Sequence, residues 1–214
     1  MFANDRDLLV LEPNLVRDVG WVGQRLVKGT GDVAGTTLTM TSQDVGFELV
    51  EIGAGHVVVV GGVAYEVIAR ISNTQLTISR LRASEDGTVL VPSPVSGAAV
   101  EVPSFGPQQA MVHGQVLRLL GIDPEEKAGG GVVTEASITN GKSLVLFEAL
   151  GVLHLIFAAA AALAGEKSPM AFKAGMYRDR FSAERGRVAA RIDTDGDGVA
   201  DATRRPSVVQ LVRA

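Results

Sequence analysis

Val102-Pro-Ser-Phe-Gly-Pro-Gln-Gln-Ala-Met-Val112 is the stretch across which the chain changes its hydrophobic period. Before it, short β-branched runs alternate with turn residues. After it, apolar residues recur at about 3.6 positions, the spacing of a helix with one buried face. Pro103 and Pro107 bracket the change, and a proline fits neither a central ladder nor a helix interior. The expected fold class is α+β. A β-rich domain or insertion covers residues 1–102, and a helical domain with an acidic loop and a closing strand covers 103–214.

Working back from this boundary, Thr36-Thr-Leu-Thr-Met-Thr41, His56-Val-Val-Val-Val60, Ala64-Tyr-Glu-Val-Ile68, Gln75-Leu-Thr-Ile-Ser79 and Thr88-Val-Leu-Val91 read as strands. β-branched and aromatic side chains suit a pleated, half-buried surface, and Gly, Asn or Asp-Gly separates the runs. The spacing predicts a small antiparallel β-barrel or sandwich. Gly61-Gly62 reads as its tightest hairpin turn, because two-residue loops need positive φ. The amino end, Asp7 to Val16, is expected as a further strand turning at Pro13.

Working forward, Met111, Val112, Gln115, Val116, Leu119 and Leu120 form a helical stripe that Gly121 can end. A polar loop, Asp123 to Thr139, follows, with Gly129-Gly-Gly131 in it. A second helix is expected from Lys142 to Ala164, and a third from the Ser168 cap and Pro169 to about Arg191, with Gly186 inside it. Ser207 to Val212 reads as the closing strand. The carboxy-terminal part is thus a bundle of about three helices. The Leu144–Ala164 stretch is long enough to span a bilayer, but Glu148 and His154 interrupt it and its second half is mostly alanine. A helix buried among other helices or subunits fits better, and no membrane partner is expected.

Composition narrows the classes. With 214 residues and 46% hydrophobic content the chain can bury a sizeable core. Its formal charge is −4, too small for a nucleic-acid-coating protein, yet residues 166–214 hold ten Lys and Arg against seven Asp and Glu. The rest of the chain is acidic, so the two regions differ in field. The absence of cysteine removes disulfides, thiolate metal sites and cysteine nucleophiles together. Acids stand in Met-Phe-Ala-Asn-Asp-Arg-Asp7 where an export signal needs a basic region, so none is expected.

One motif offers a ligand. Asp193, Asp195 and Asp197 occupy positions one, three and five of a calcium loop, Gly198 the sixth and Asp201 the ninth. Arg204 stands at the twelfth, where an EF-hand needs a bidentate Glu. The remainder is similar to the shorter Asp-x-Asp-x-Asp-Gly-x-x-Asp loops of thrombospondin type 3 repeats. Two readings stay open: a Ca2+ site, or an Asp/Gly turn whose charge arginines compensate. Either is needed if the acids follow a helix C-terminus, whose partial negative charge repels them.

Before this loop, Lys173, Arg180, Arg187 and Arg191 are spaced to share one helical face, beside an apolar seam of Ala174, Tyr177, Phe181 and Val188. With Arg178 and Arg185 they are candidates for contact with an acidic partner subunit or DNA phosphates. On the plainer reading they form a solvated face, with Glu184 pairing Arg180 or Arg187. His56, His113 and His154 show no local acid or nucleophile beside them, and Ser143, Ser168 and Ser182 lack a nucleophile elbow. No catalytic residues and no enzyme activity are expected.

The succession Leu119-Leu-Gly-Ile122, a glycine-containing loop, Glu148-Ala-Leu-Gly-Val-Leu-His-Leu-Ile-Phe-Ala158, Met176-Tyr-Arg-Asp-Arg-Phe-Ser-Ala-Glu-Arg185 and Ile192-Asp-Thr-Asp-Gly-Asp-Gly198 resembles the head-to-tail connector, or adaptor, proteins of tailed bacteriophages. The resemblance covers roughly residues 105–205 and leaves the β region unexplained. It implies a structural virion protein of the neck, made in the bacterial host cytoplasm. Such a protein docks a helical bundle under the portal protein and assembles as a homo-oligomeric ring, commonly a dodecamer, around the channel for packaged DNA. A tail or stopper protein would be the next neighbour. Competing readings are a head-completion stopper, a tail terminator, and a calcium-dependent surface binding module.

Overall fold

The computed structural model describes residues 1–125, 132–165 and 167–206. The chain is α+β and divides into two compact units, Asn4–Gly106 and Met1–Ala3 together with the residues from Pro107 on. The first three residues therefore belong with the helical part.

In the unit Asn4–Gly106, six antiparallel strands close into a barrel: β1 (Gln24–Ala34), β2 (Thr37–Gln43), β3 (Val57–Val60), β4 (Val63–Arg70), β5 (Gln75–Ser79) and β6 (Val95–Ser104). Their order is β1-β2-β5-β4-β3-β6, with β6 pairing back on β1. Closure leaves no free sheet edge. Period-two alternation sends Leu38 and Met40 of β2, Leu76 and Ile78 of β5, and Val100 and Val102 of β6 into one core. Burying each such side chain contributes about 1.5–3 kcal/mol before chain entropy is counted. The β3–β4 turn is Gly61-Gly62, with φ of 57° and 83°.

Three expectations are corrected here. Residues 7–16 are not a strand but parts of two short helices, α1 (Asp5–Leu11) and α2 (Leu15–Val19). Asn4 and Asp7 form a reciprocal capping box that starts α1, and Leu8 and Leu9 bury beneath it. Thr88 to Val91 contributes only an isolated bridge, Arg80 to Leu90. The two longest strands, β1 and β6, lie where no strand was expected. Gly29 lets β1 pass so close to β2 that a Cβ there would collide with the Ser42 carbonyl.

A buried ion network fastens α1 to the barrel wall. Glu66 on β4 is fully buried and accepts Arg6 Nε and Arg82 Nε, each at 2.6 Å, as well as the Arg82 N–H at 3.0 Å. Arg6 in turn donates to the Arg82 carbonyl and Arg82 to that of Gly87. Both carboxylate oxygens are thus satisfied, the condition under which a buried charge is tolerated.

The other unit carries α3 (Gly106–Leu119), α4 (Val145–Ala164) and α5 (Pro169–Arg185), then a hairpin of β7 (Ala190–Ile192) and β8 (Ala202–Arg204). With α1 and α2, the described residues hold five α-helices, two more than the three expected. The buried face of α3 is also rotated from the expected stripe: Val112, His113, Val116, Leu117 and Leu120 are buried, while Met111 and Gln115 face solvent. A period count ranks histidine as polar, so it could not place His113 inward. At Gly151 the three helices pack tightly; a Cβ there would lie 2.8 Å from Val112 of α3 and 3.0 Å from Phe181 of α5. Phe147 stacks on Phe181 and Phe157 on Tyr177, locking α4 to α5. The Gly141–Ala164 segment is long and apolar enough to cross a membrane, but 61% of its apolar window is buried, a property shared by core helices.

The last helix stops at Arg185, six residues short of expectation, and Gly186 is its C-cap. The expected strand at 207–212 and the glycine run at 129–131 lie outside the described residues.

Candidate functional site

The acidic loop joins β7 to β8. It follows a strand rather than a helix end, so the dipole repulsion expected from the sequence does not arise. Backbone amides supply the compensation. Asp193 accepts the N–H groups of Gly196 at 2.7 Å and Gly198 at 2.8 Å, Asp195 that of Asp197, and Asp197 that of Val199. Gly196 and Gly198 have φ of 84° and 85°, the left-handed conformation that turns those amides inward. Asp201 is held by the Thr194 N–H and hydroxyl.

Asp193, Asp195 and Asp197 bring one carboxylate oxygen each within 4.8 Å of the others, a set that could ligate a hard cation such as Ca2+. Their titration reflects the crowding. The Gly196 and Gly198 amides hold Asp193 below the ordinary carboxylate range. The Asp197 N–H favours the ionised form of Asp195, but repulsion from Asp197 and Asp201 outweighs it and raises its pKa.

The basic residues do not form one face. Lys173, on α5, lies over the Phe157 ring at 4.9 Å, and Arg180 over Tyr177 at 5.6 Å. Arg178 pairs with Asp179, and Arg185 donates to the Pro206 carbonyl. Arg187 lies beyond the helix, 3.8 Å from Glu184, and Arg191 sits in β7. Arg204 donates to the carbonyls of Leu120 and Gly121, satisfying the end of α3 rather than the acidic loop. Arg178, Arg180, Arg185, Arg187 and Arg191 are exposed.

His113 has no acid near it in sequence, yet the fold sets two carboxylates beside it. Its Nδ1 lies 2.8 Å from Oε2 of the fully buried Glu148, and Oε1 of Glu148 accepts the N–H groups of Phe2 and Ala3 at 3.0 Å each. On the other side Nε2 is 3.1 Å from Glu135 Oε2, an ion-pair distance without hydrogen-bond alignment. Glu135 also meets the Met1 amino group at 3.1 Å, and the Phe2 ring packs on the imidazole. Burial works against a charged ring, but the Glu148 hydrogen bond and charge, with the Glu135 contact, outweigh it and raise the His113 pKa. Burial likewise pushes Glu135 up, and His113 with the amino group more than reverses this. The available signal was Glu148 itself: an acid within an apolar helix needs a partner. His154 Nδ1 lies 3.0 Å from the Ala174 carbonyl, and His56 Nδ1 turns to Gly53.

Comparison of the chain with protein-family models, curated proteins and solved structures finds no match.

Proposed function

We propose that this chain is a structural virion protein, a head-to-tail adaptor that forms a ring between the portal and the tail of a tailed phage. The resemblance over residues 105–205 supplies the class, and a dodecamer is the ring that class commonly forms. The supporting observation is the surface of the α4–α5 pair. Leu163 near the end of α4 is 81% exposed and Phe172 in the first turn of α5 is 76% exposed. Further along α5, Arg178, Arg180 and Arg185 face solvent. Exposed large apolar side chains and exposed arginines on one helix pair are residue types found in protein interfaces, and neighbouring subunits in a ring would cover them.

The portal protein and a tail or stopper protein are the partners of this reading, and packaged DNA passes through the channel. The protein acts by binding and assembly rather than catalysis. Immunogold labelling of purified particles tests the assignment. Label at a single vertex, between head and tail, supports it; label over the capsid, along the tail or away from particles overturns it.

A further inference from the structure

His113 stands between two carboxylates on separate elements. Glu148 comes from α4, and Glu135 from a 3₁₀ turn, Glu135–Ser137. The N-terminal segment faces the same group with the Phe2 ring and the Met1 amino group, whose positive charge opposes that of the imidazolium. Only the imidazolium carries a proton on both nitrogens, so only that form can be attracted at Nδ1 and Nε2 together. In the neutral ring one nitrogen presents a lone pair. The fully buried Glu148 is closed off from bulk solvent and takes the Nδ1–H as one of its three donors, so it retains that proton. The lone pair then falls at Nε2, 3.1 Å from a Glu135 oxygen, where it is repelled.

We propose that His113 is a proton-operated clasp: as imidazolium it ties α4 to the Glu135–Ser137 turn, and on losing the Nε2 proton to solvent it keeps Glu148 and releases Glu135. The turn is held to the rest of the unit at its far end, where Asp193 N–H donates to the Ser137 carbonyl and Ile138 bridges Ile192. Release at Glu135 therefore loosens one edge of the turn and leaves the β7 side attached. The clasp depends on side chains within this unit and not on any assembly role.

Nuclear magnetic resonance of the full chain tests it by following the His113 ring nitrogens and amide exchange together across pH. The reporting amides are Ser137 and Ile138, which donate to the Thr134 and Glu135 carbonyls and close the turn. After correction for intrinsic exchange, their protection should fall several-fold as His113 deprotonates, because the turn then opens more often. Protection at Phe2 and Ala3 should stay constant through the same titration. In Glu135→Gln the step at Ser137 and Ile138 should vanish, with near-ultraviolet circular dichroism confirming the fold. Protection at Ser137 and Ile138 that ignores the His113 titration, or a step that persists in Glu135→Gln, would overturn the clasp.

Discussion

Glu148 Oε2 lies 2.8 Å from His113 Nδ1, while its other oxygen accepts two backbone N–H groups of the N-terminal segment. One fully buried carboxylate thus joins α4, α3 and residues 2–3. Removing it leaves three donors, two of them buried, without an acceptor. Glu148→Ala is expected to cost about 3 kcal/mol in urea unfolding, the range for breaking a buried ion pair from one side. Glu148→Gln should cost less, because its amide oxygen still accepts. A loss under about 1 kcal/mol for the alanine variant would mean that water enters and replaces the carboxylate.

The His113–Glu135 contact sets a pH window. A raised histidine pKa gives stability that is complete below the ordinary 6.5 and lost as pH climbs through the folded value. The lowered Glu135 pKa gives stability present above the ordinary 4.5 and lost as pH falls through its folded value. The pair therefore contributes most between these limits. The melting temperature of the native chain, relative to Glu135→Gln, should be highest in that interval and converge towards alkaline pH. A difference that grows above pH 8 contradicts the sign.

In the acidic loop, backbone amides supply the compensation that one of the two sequence readings gave to arginines. Asp193→Ala should lower the melting temperature with no calcium present, and Asp193→Asn should restore part of the loss through its remaining acceptor. Gly198→Ala, forcing a Cβ into φ of 85°, should cost about 1 kcal/mol. Unchanged melting in all three variants would show that the loop closes without these bonds.

The helical contact at Gly151 weighs two opposed effects. Alanine favours a helix over glycine by roughly 0.5–1 kcal/mol, whereas overpacking a tight core costs about 1–3 kcal/mol. Val112, 2.8 Å from the would-be Cβ, is itself buried and has little room to move. The clash should win, and Gly151→Ala should unfold at lower urea. A more stable variant would show that α3 and α5 can part at this point.

What the sequence disclosed depended on whether side chains announce their element. β2, β3, β4 and β5 are β-branched runs, and Gly61-Gly62 announced their turn. β1 and β6 were hidden because Lys28-Gly-Thr-Gly-Asp32 and Ser96-Gly-Ala-Ala99 have low strand propensity. Those small residues belong there because the strands approach closely, as Gly29 shows against Ser42. The start of α1 was legible in Asn4-x-x-Asp7, a capping pattern outweighed by the apolar run Leu8 to Leu11. At the candidate site, the Asp spacing was visible, but its attachment to a strand was not, because Gly186 ended the preceding helix early. His113, Glu135 and Glu148 are far apart in sequence, so only folding brings them together.

The adaptor reading is tested most directly by a single-particle reconstruction of the neck of purified particles. It predicts multiple copies of this chain in a closed ring between portal and tail, with Leu163 and Phe172 covered by a neighbouring subunit or the portal. A single copy, or density for the chain at any site other than the portal vertex, would contradict it.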